Sequence, residues 1–472
     1  MSEKIFKRIL IAFLFINVIY LLINVFVSSK AMADDLEHIH ASWLVWQGQT
    51  PYTDFFEHHH PLMWYIFAPL VGLFTGNILV FFGVRFIMSL VSLGILYIVY
   101  RIVKDFLADK NTALIALNIF CFSNTALNAM VQFKPDLFMH LFFFVGLYYF
   151  LLYLRDKKQV YLNIMAASFA IAFLFLQTIL FLLLPVGLYA LYFMYRKEVD
   201  IRSILKASVL PICIVIIACL FLYFEGNLVR YYHLNWVVNS KIMSELGDGN
   251  IIDFSDLYWI LSLGCVSALY LLFSKPNKYI VLFVVLWAVE FLFRAFYVSI
   301  GLYYFKMLLL YNAILLGCAI MKFYNSRHYV AWIFFVLSLV FCGKFWLLEG
   351  VGKINTLTMV GINQDISKNS SEKDIVLGTT KVPFGIFNQN PHYYWFSWTY
   401  IGKIDEELYH YAEPFDINKI ILEKKPLFVY FEDDLREGYI PLTKYDIKPD
   451  LLRQYYENAK YNTLYRLKSV NN

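Results

Sequence analysis

The sequence predicts an all-α polytopic membrane protein of about eleven transmembrane helices, followed by a small external α/β domain. Three observations lead there. Of 472 residues, 60% are hydrophobic and only 16% are charged, against about 45–50% and about 25% in soluble domains. Apolar runs near the ~20 residues needed to cross a bilayer recur along the chain. Short lysine and arginine clusters fall on every second connection between those runs, which is the pattern that sets orientation.

The runs lie near residues 9–27, 79–100, 112–130, 137–154, 160–176, 178–195, 206–223, 257–273, 278–297, 300–321 and 330–348. The first follows MSEKIFKR and is read as a retained span, because it is long for a signal peptide and has a weak cleavage site after it. The basic clusters are Lys4/Lys7/Arg8, Arg101/Lys104/Lys110, Arg155/Lys157/Lys158, Arg196/Lys197/Arg202/Lys206, Lys275/Lys278 and Lys322/Arg327. They put the N-terminus in the cytoplasm and leave outside residues 28–78, the short VQFKPD loop, residues 224–256 and everything from about 349. Residues 1–348 then form the membrane module and 349–472 an external domain, where DIVLGTT and PLFVYFED read as strands. The expected location is a bacterial inner membrane. Mean hydropathy is +0.58, aromatic residues reach 19% and suit spans and interfacial belts, and the net charge is a modest +5, so nothing signals nucleic acid. All six cysteines fall in apolar runs without CxxC spacing and read as small buried hydrophobes.

Residues 34–61, DDLEHIHASWLVWQGQTPYTDFFEHHHP, concentrate ionisable groups directly after the first span. Leu36, Ile39, Trp43 and Trp46 recur at helical spacing, which predicts an amphipathic helix lying in the membrane interface and starting near Asp34. A Gly-Gln-Thr-Pro break follows, and then an apolar stretch from Pro61 that is short for a span. Asp34 and Asp35, with Glu37 three residues after Asp34, fit an N-cap and capping box. A cap does not exclude a second role, that of a general base held where a membrane-dissolved substrate would arrive. His58, His59 and His60 are candidates for hydrogen bonds to a phosphate, for metal ligation or for interfacial structure. Consecutive residues seldom all face one ion, so no metal is assigned. No cofactor is expected, although a divalent ion is left open.

Further along, Lys134 and Asp136 flank Pro135 on a short external loop, where the aspartate could cap a helix or orient an acceptor. Glu290 and Arg294 share a helix face near the outer end of a span, where charge is costly and points to function. They read as an internal pair or as an arginine on a lipid phosphate. Lys306 lies in GLYYFKMLLLYN and fits either snorkelling or phosphate contact. Arg230 and Lys241 on the 224–256 loop are weaker candidates.

Together these features resemble the GT-C superfamily of integral-membrane glycosyltransferases, and most closely the bacterial relatives of protein O-mannosyltransferases and aminoarabinose transferases. The quoted loop follows that family's order: an acidic pair, an Ala-containing helix, a Gly-x-x-Pro-Tyr turn and a His-Pro element before an apolar run. KPD at 134–136 is similar to its (Arg/Lys)-x-Asp element, and GLYYFKMLLLYNAILL to its late Tyr-rich span. The likeness covers roughly residues 1–325. It implies a hexosyl- or pentosyltransferase that moves a sugar from a polyprenyl-phosphate donor to a protein, lipid or glycan acceptor outside the cytoplasmic membrane. Asp34 would be the catalytic carboxylate and Asp35 its acidic neighbour. Arg294, Lys306 and the histidines would stabilise the departing phosphate. The chain departs from the pattern at Asp35, where Glu is commoner, and at Gln177, where many relatives carry lysine.

Two rivals come from other classes. A transporter or flippase would place charges near the bilayer midplane and repeat one half in the other, whereas here the ionisable groups gather on one side and no repeat is evident. A non-catalytic assembly partner for lipid-linked glycans would tolerate a neutral residue at Asp34.

Overall fold

The computed structural model describes residues 3–28, 32–240, 258–274, 277–297, 306–326, 335–336, 356–378, 385–395, 411–413, 415–431, 447–459 and 464–468. The chain divides into two compact units that interleave in sequence. One comprises Met1–Lys30, Arg85–Phe221 and Leu246–Gly352; the other comprises Ala31–Val84, Leu222–Glu245 and Lys353–Asn472. In chain order the helices are α1 (Glu3–Val27), α2 (Met32–Trp46), α3 (Leu62–Leu73), α4 (Val80–Ile102), α5 (Lys110–Cys121), α6 (Asn124–Ala129), α7 (Pro135–Asp156), α8 (Gln159–Phe175), α9 (Ile179–Tyr195), α10 (Ile201–Phe224), α11 (Leu228–Tyr232), α12 (Tyr258–Phe273), α13 (Lys278–Tyr297), α14 (Lys306–Ser326), α15 (Thr356–Lys368), α16 (Ile417–Lys424) and α17 (Pro449–Tyr455).

Among the described residues, five helices are long and apolar enough to cross a membrane: Lys4–Val27, Val80–Leu107, Pro135–Asp156, Ile201–Phe224 and Met307–Tyr324. Shorter apolar helices occupy Leu62–Leu73, Gln159–Phe175, Ile179–Tyr195 and Ser262–Phe273. The run near 330–348 lies outside the described residues except for 335–336. The run near 112–130 is not one helix. Asp109 caps α5 by accepting from the Thr112 backbone and hydroxyl at 2.7 and 2.8 Å. Ser123 then interrupts the run and caps α6 through the Ala126 N–H. Twelve residues of helix reach about 18 Å, short of the ~30 Å hydrocarbon core.

Within the first unit α5 is buried from Asn111 to Cys121 and packs against α1 and α14. Its polar Asn118 is satisfied there, donating to Leu10 O and Leu114 O at 3.0 and 2.9 Å and accepting from Asn17 at 3.3 Å. Close approach between helices rests on glycines. A side chain at Gly146 would meet the Phe169 ring, and one at Gly317 would meet Ala116 and the Thr112 carbonyl. By contrast α10 shows Ile212, Ile216, Ile217 and Leu220 on its surface, which suits lipid contact. Cys213, Cys219 and Cys265 are also exposed, unlike buried Cys121 and Cys318. The expectation that every cysteine is buried fails for these three because they sit on the apolar outer flanks of α10 and α12.

The connections that carry basic clusters meet one another. Arg101 donates to Asp105 at 2.9 Å and to the Tyr148 hydroxyl at 2.7 Å. Lys157 donates to Glu198 O at 2.6 Å, and Lys278 pairs with the Glu198 carboxylate at 2.7 Å. Asn277 reaches Phe106 O at 2.6 Å, and Lys322 reaches Ser274 O at 2.5 Å. Loops assigned to one side by charge therefore lie at one end of this unit.

The second unit carries a four-stranded mixed sheet in the order β1 (Val376–Gly378), β2 (Phe428–Tyr430), β4 (Leu464–Leu467), β3 (Tyr456–Asn458). β1 runs parallel to β2, and the other pairs are antiparallel. DIVLGTT and PLFVYFED supply β1 and β2, as expected. Ile417, Ile420 and Ile421 of α16 pack on Leu377, Val429 and Phe431.

At the α12–α14 contact, a side chain on Gly264 would fall on the Asn312 amide, which accepts from Trp287 Nε1 at 2.5 Å. Gly264→Val is expected to lower stability by about 1–3 kcal/mol through overpacking, read as a reduced melting temperature of the detergent-solubilised protein. An unchanged melting temperature would remove this contact from the account of the fold.

Candidate functional site

Helix α2 begins at Met32, so Asp34 and Asp35 lie inside its first turn and not at its cap, as the capping-box reading had it. The dipole still favours negative charge there. The interfacial reading of α2 is also corrected. Every residue from Asp35 to Leu44 is buried, polar and apolar alike, while Trp46 at its end is exposed. Packing explains the difference. The apolar stretch after Pro61 forms α3, which lies against α2, with Trp46 resting on Gly72 and Trp64 Nε1 donating to His38 Nδ1 at 3.1 Å. His40 is engaged by the C-terminal segment, with Nδ1 3.0 Å from Ile386 O and Nε2 2.6 Å from the Asn390 amide, and Trp395 packs on its ring.

The Gly-x-x-Pro-Tyr turn sets the path from α2 to the histidines. Gly48, at φ +82°, closes α2 by donating to Val45 O, and Gln49 donates to Leu44 O, both at 3.0 Å; glycine adopts that left-handed conformation without steric cost. Asp54 accepts from Thr50 N at 2.7 Å. Tyr52 is buried and donates to His59 O at 2.6 Å. Three distant segments clamp this backbone. Tyr393 donates to Tyr52 O at 2.7 Å and accepts, through its carbonyl, from Phe56 N at 2.9 Å. Arg230, stacked over Tyr411, donates to Tyr52 O and Thr53 O at 3.3 Å. Asn239 donates to His58 O at 2.7 Å.

The three histidines diverge. His60 turns to Tyr231, whose hydroxyl is 3.3 Å from Nε2. His58 lies on Phe56 and beside His59. His59 Nδ1 is 3.3 Å from Glu57 Oε2 and 3.7 Å from Glu37 Oε1, with its ring edge-on to His38. The result is a buried cluster of Glu37, Glu57, His58 and His59. Burial pushes the Glu57 carboxyl above the usual carboxylate range, a rise that its contacts with His59 partly offset. Burial, with His59 adjacent, pushes His58 well down. Asp34 shares a face of α2 with Glu37 and His38 by helical spacing.

The remaining expected site residues belong to the first unit. Lys134 is buried and stands at the N-cap position of α7 without a side-chain cap bond. Pro135 opens that helix, and Asp136 lies in its first turn, so Asp136 is not the cap either. Arg294 lies on α13 one turn after buried Glu290, and Lys306 opens α14. Lys241 is outside the described residues. The sequence reading passed over Tyr52, His40, Tyr393, Asn390 and the joining of Glu37 to Glu57. The Pro-Tyr turn signalled Tyr52, whereas nothing local signalled contacts with residues 386–395.

Burial lowers the His40 pKa, with the hydrogen bonds to Ile386 and Asn390 opposing the drop. The folded ring is therefore neutral, and the unfolded chain takes up a proton first as pH falls through about 6.5. The stability tied to this ring is present above that value and is lost as pH falls towards the lowered folded value. The melting temperature is expected to fall more steeply between about pH 7.5 and about pH 5.5 in wild type than in His40→Gln; equal slopes would count against a buried neutral ring.

The dolichyl-phosphate-mannose-protein mannosyltransferase family matches residues 58–223, a segment that opens at the histidine run and leaves Asp34 and Asp35 upstream. The fold is similar to that of the Archaeoglobus fulgidus oligosaccharyltransferase in its apo form, with a TM-score of 0.51 and 11% identity over 76% of this chain. The similar region spans 58% of that enzyme's length. No curated protein matches the chain in sequence. In sequence from the histidine run through α10, and in fold over three quarters of its length, the chain carries the likeness to GT-C glycosyltransferases that its loop motifs suggest.

Proposed function

We propose that this chain is a membrane glycosyltransferase that moves a sugar from a polyprenyl-phosphate donor to an acceptor on the outer side of the cytoplasmic membrane. The observation that carries this reading is the family match beginning at His58, one turn segment beyond a helix, Met32–Trp46, whose first turn holds two carboxylates. Asp34, the less buried of the two, takes the proton of the acceptor hydroxyl or amine. The acceptor atom bonds to the anomeric carbon, the carbon–oxygen bond to phosphate breaks, and the lipid phosphate leaves with the electron pair, inverting the centre. Lys134, Arg294 and Lys306 are the cations assigned to the phosphate. Asp35, fully buried, is assigned to shaping the first turn of α2.

The orientation belongs to the same proposal, as does a span count above the five long apolar helices. Segments that the charge pattern places outside, 28–78, 224–256 and the chain from 349, nearly coincide with those of the second unit. The basic loops gather at one end of the first unit. Both observations favour a cytoplasmic N-terminus and an external C-terminal domain.

The test compares envelope proteins, lipid A and polysaccharide by mass spectrometry in a deletion strain complemented with wild type or with Asp34→Asn at equal expression. A sugar increment lost in both the deletion and the Asp34→Asn strain is the expected result, and it names both acceptor and sugar. With purified protein, Asp34→Asn should slow transfer about 10²–10⁴-fold, the usual contribution of a general base. Full restoration of the glycan by Asp34→Asn would leave transport or assembly as the better account.

A further inference from the structure

Glu37 and Glu57 are nearly inaccessible, at 3% and 0% exposure, and the His59 imidazole lies beside both carboxylates. The ligand-type atoms of Glu37, Glu57, His58 and His59 all lie within 4.8 Å of one another. One oxygen of Glu57 is used, since Oε2 accepts from His58 N and lies beside His59 Nδ1, both at 3.3 Å. Its other oxygen, Oε1, is buried without a hydrogen-bond partner, and so is His58 Nδ1. Buried charge of this kind occurs where it is paired or coordinates a metal. The presence of two carboxylates argues against these two histidines binding a phosphate, which would add a third negative group.

We propose that Glu37, Glu57, His58 and His59 bind one divalent transition-metal ion of the zinc type. Two nitrogen and two oxygen donors suit zinc or manganese, whereas magnesium and calcium favour all-oxygen shells. Bonds of about 2.0–2.2 Å in a tetrahedron set ligand atoms about 3.3 Å apart, so the cluster closes with side-chain movements of about 1 Å. The backbone is already fixed: Tyr52 holds His59 O and Asn239 holds His58 O, and Trp64 holds His38 beside the His59 ring. His60 faces Tyr231 and stays outside the set. The site stands on the geometry of the second unit alone and holds whether or not the chain transfers sugar.

The test uses the full chain, purified in detergent without an affinity tag, stripped with chelator and dialysed against Zn²⁺, Mn²⁺ or Mg²⁺ in separate arms. Wild type is expected to retain about one Zn²⁺ per chain by elemental analysis and no Mg²⁺. Glu57→Gln and His58→Ala should each weaken binding about 100-fold or more, since even outer-shell changes cost 10–100-fold, while His392→Gln keeps the ion. Co²⁺ added to wild type should give the visible absorption of a low-coordinate nitrogen–oxygen site, a readout that needs no variant to fold. Absence of retained metal, full retention by Glu57→Gln and His58→Ala, or a cobalt spectrum like that of the aqueous ion would each overturn the proposal.

Discussion

The second unit depends on burying a helix that is unusually rich in ionisable groups. Between Asp35 and Leu44, α2 places a glutamate and two histidines where water does not reach, and unpartnered polar groups in such surroundings cost several kcal/mol each. The structure answers with partners from α2 itself, from the next helix and from far along the chain. His38 receives the Trp64 indole, His40 is held by Ile386 and Asn390, and Ser42 returns its hydroxyl to His38 O at 2.7 Å. Where partners run out, at Glu57 Oε1 and His58 Nδ1, the polar residue chemistry itself becomes informative.

How far the sequence was legible follows the range of the forces involved. The long apolar helices α1, α4, α7 and α10 could be read because length and hydropathy are local properties. The two short strands could be read from period and composition. The break in α5–α6 was missed because a single capping serine decides it and the surrounding residues are uniformly apolar. The misreading of α2 has a different cause. Its spacing of Leu36, Ile39 and Trp43 described one apolar face correctly, but periodicity says nothing about what covers the opposite face. That cover comes from α3 and from residues 386–395. In the site, residue types and spacing identified the acidic turn and the histidine run, but not that His60 would part from its neighbours.

The helical unit obeys a simpler logic. Glycines let α7 approach α8 and α14 approach α5, which is how helices associate where lipid offers no hydrophobic contrast. Polar groups inside it are paired along short paths, as with Asn118 on α5 and Asn312 between α12 and α14. Its outward faces are left apolar. One unit is thus stabilised by packing between whole helices, some as far apart in sequence as α5 and α14, the other by single clasps between irregular segments.

That difference bears on the order in which the molecule can be finished. His40 meets Ile386 across 346 positions and Tyr52 meets Tyr393 across 341. A growing chain therefore emits α2 and its turn early, with the residues that complete their surroundings still unmade. Long separations of this kind slow folding because the loop entropy must be spent before contacts form. The helical unit can assemble as its spans are inserted and α3 can cover one face of α2 early, while the His40 face waits until residues 386–395 have been translated. A ribosome that stalls before residue 386 would leave a product whose long helices are all made but whose His40 lacks both of its hydrogen-bond partners.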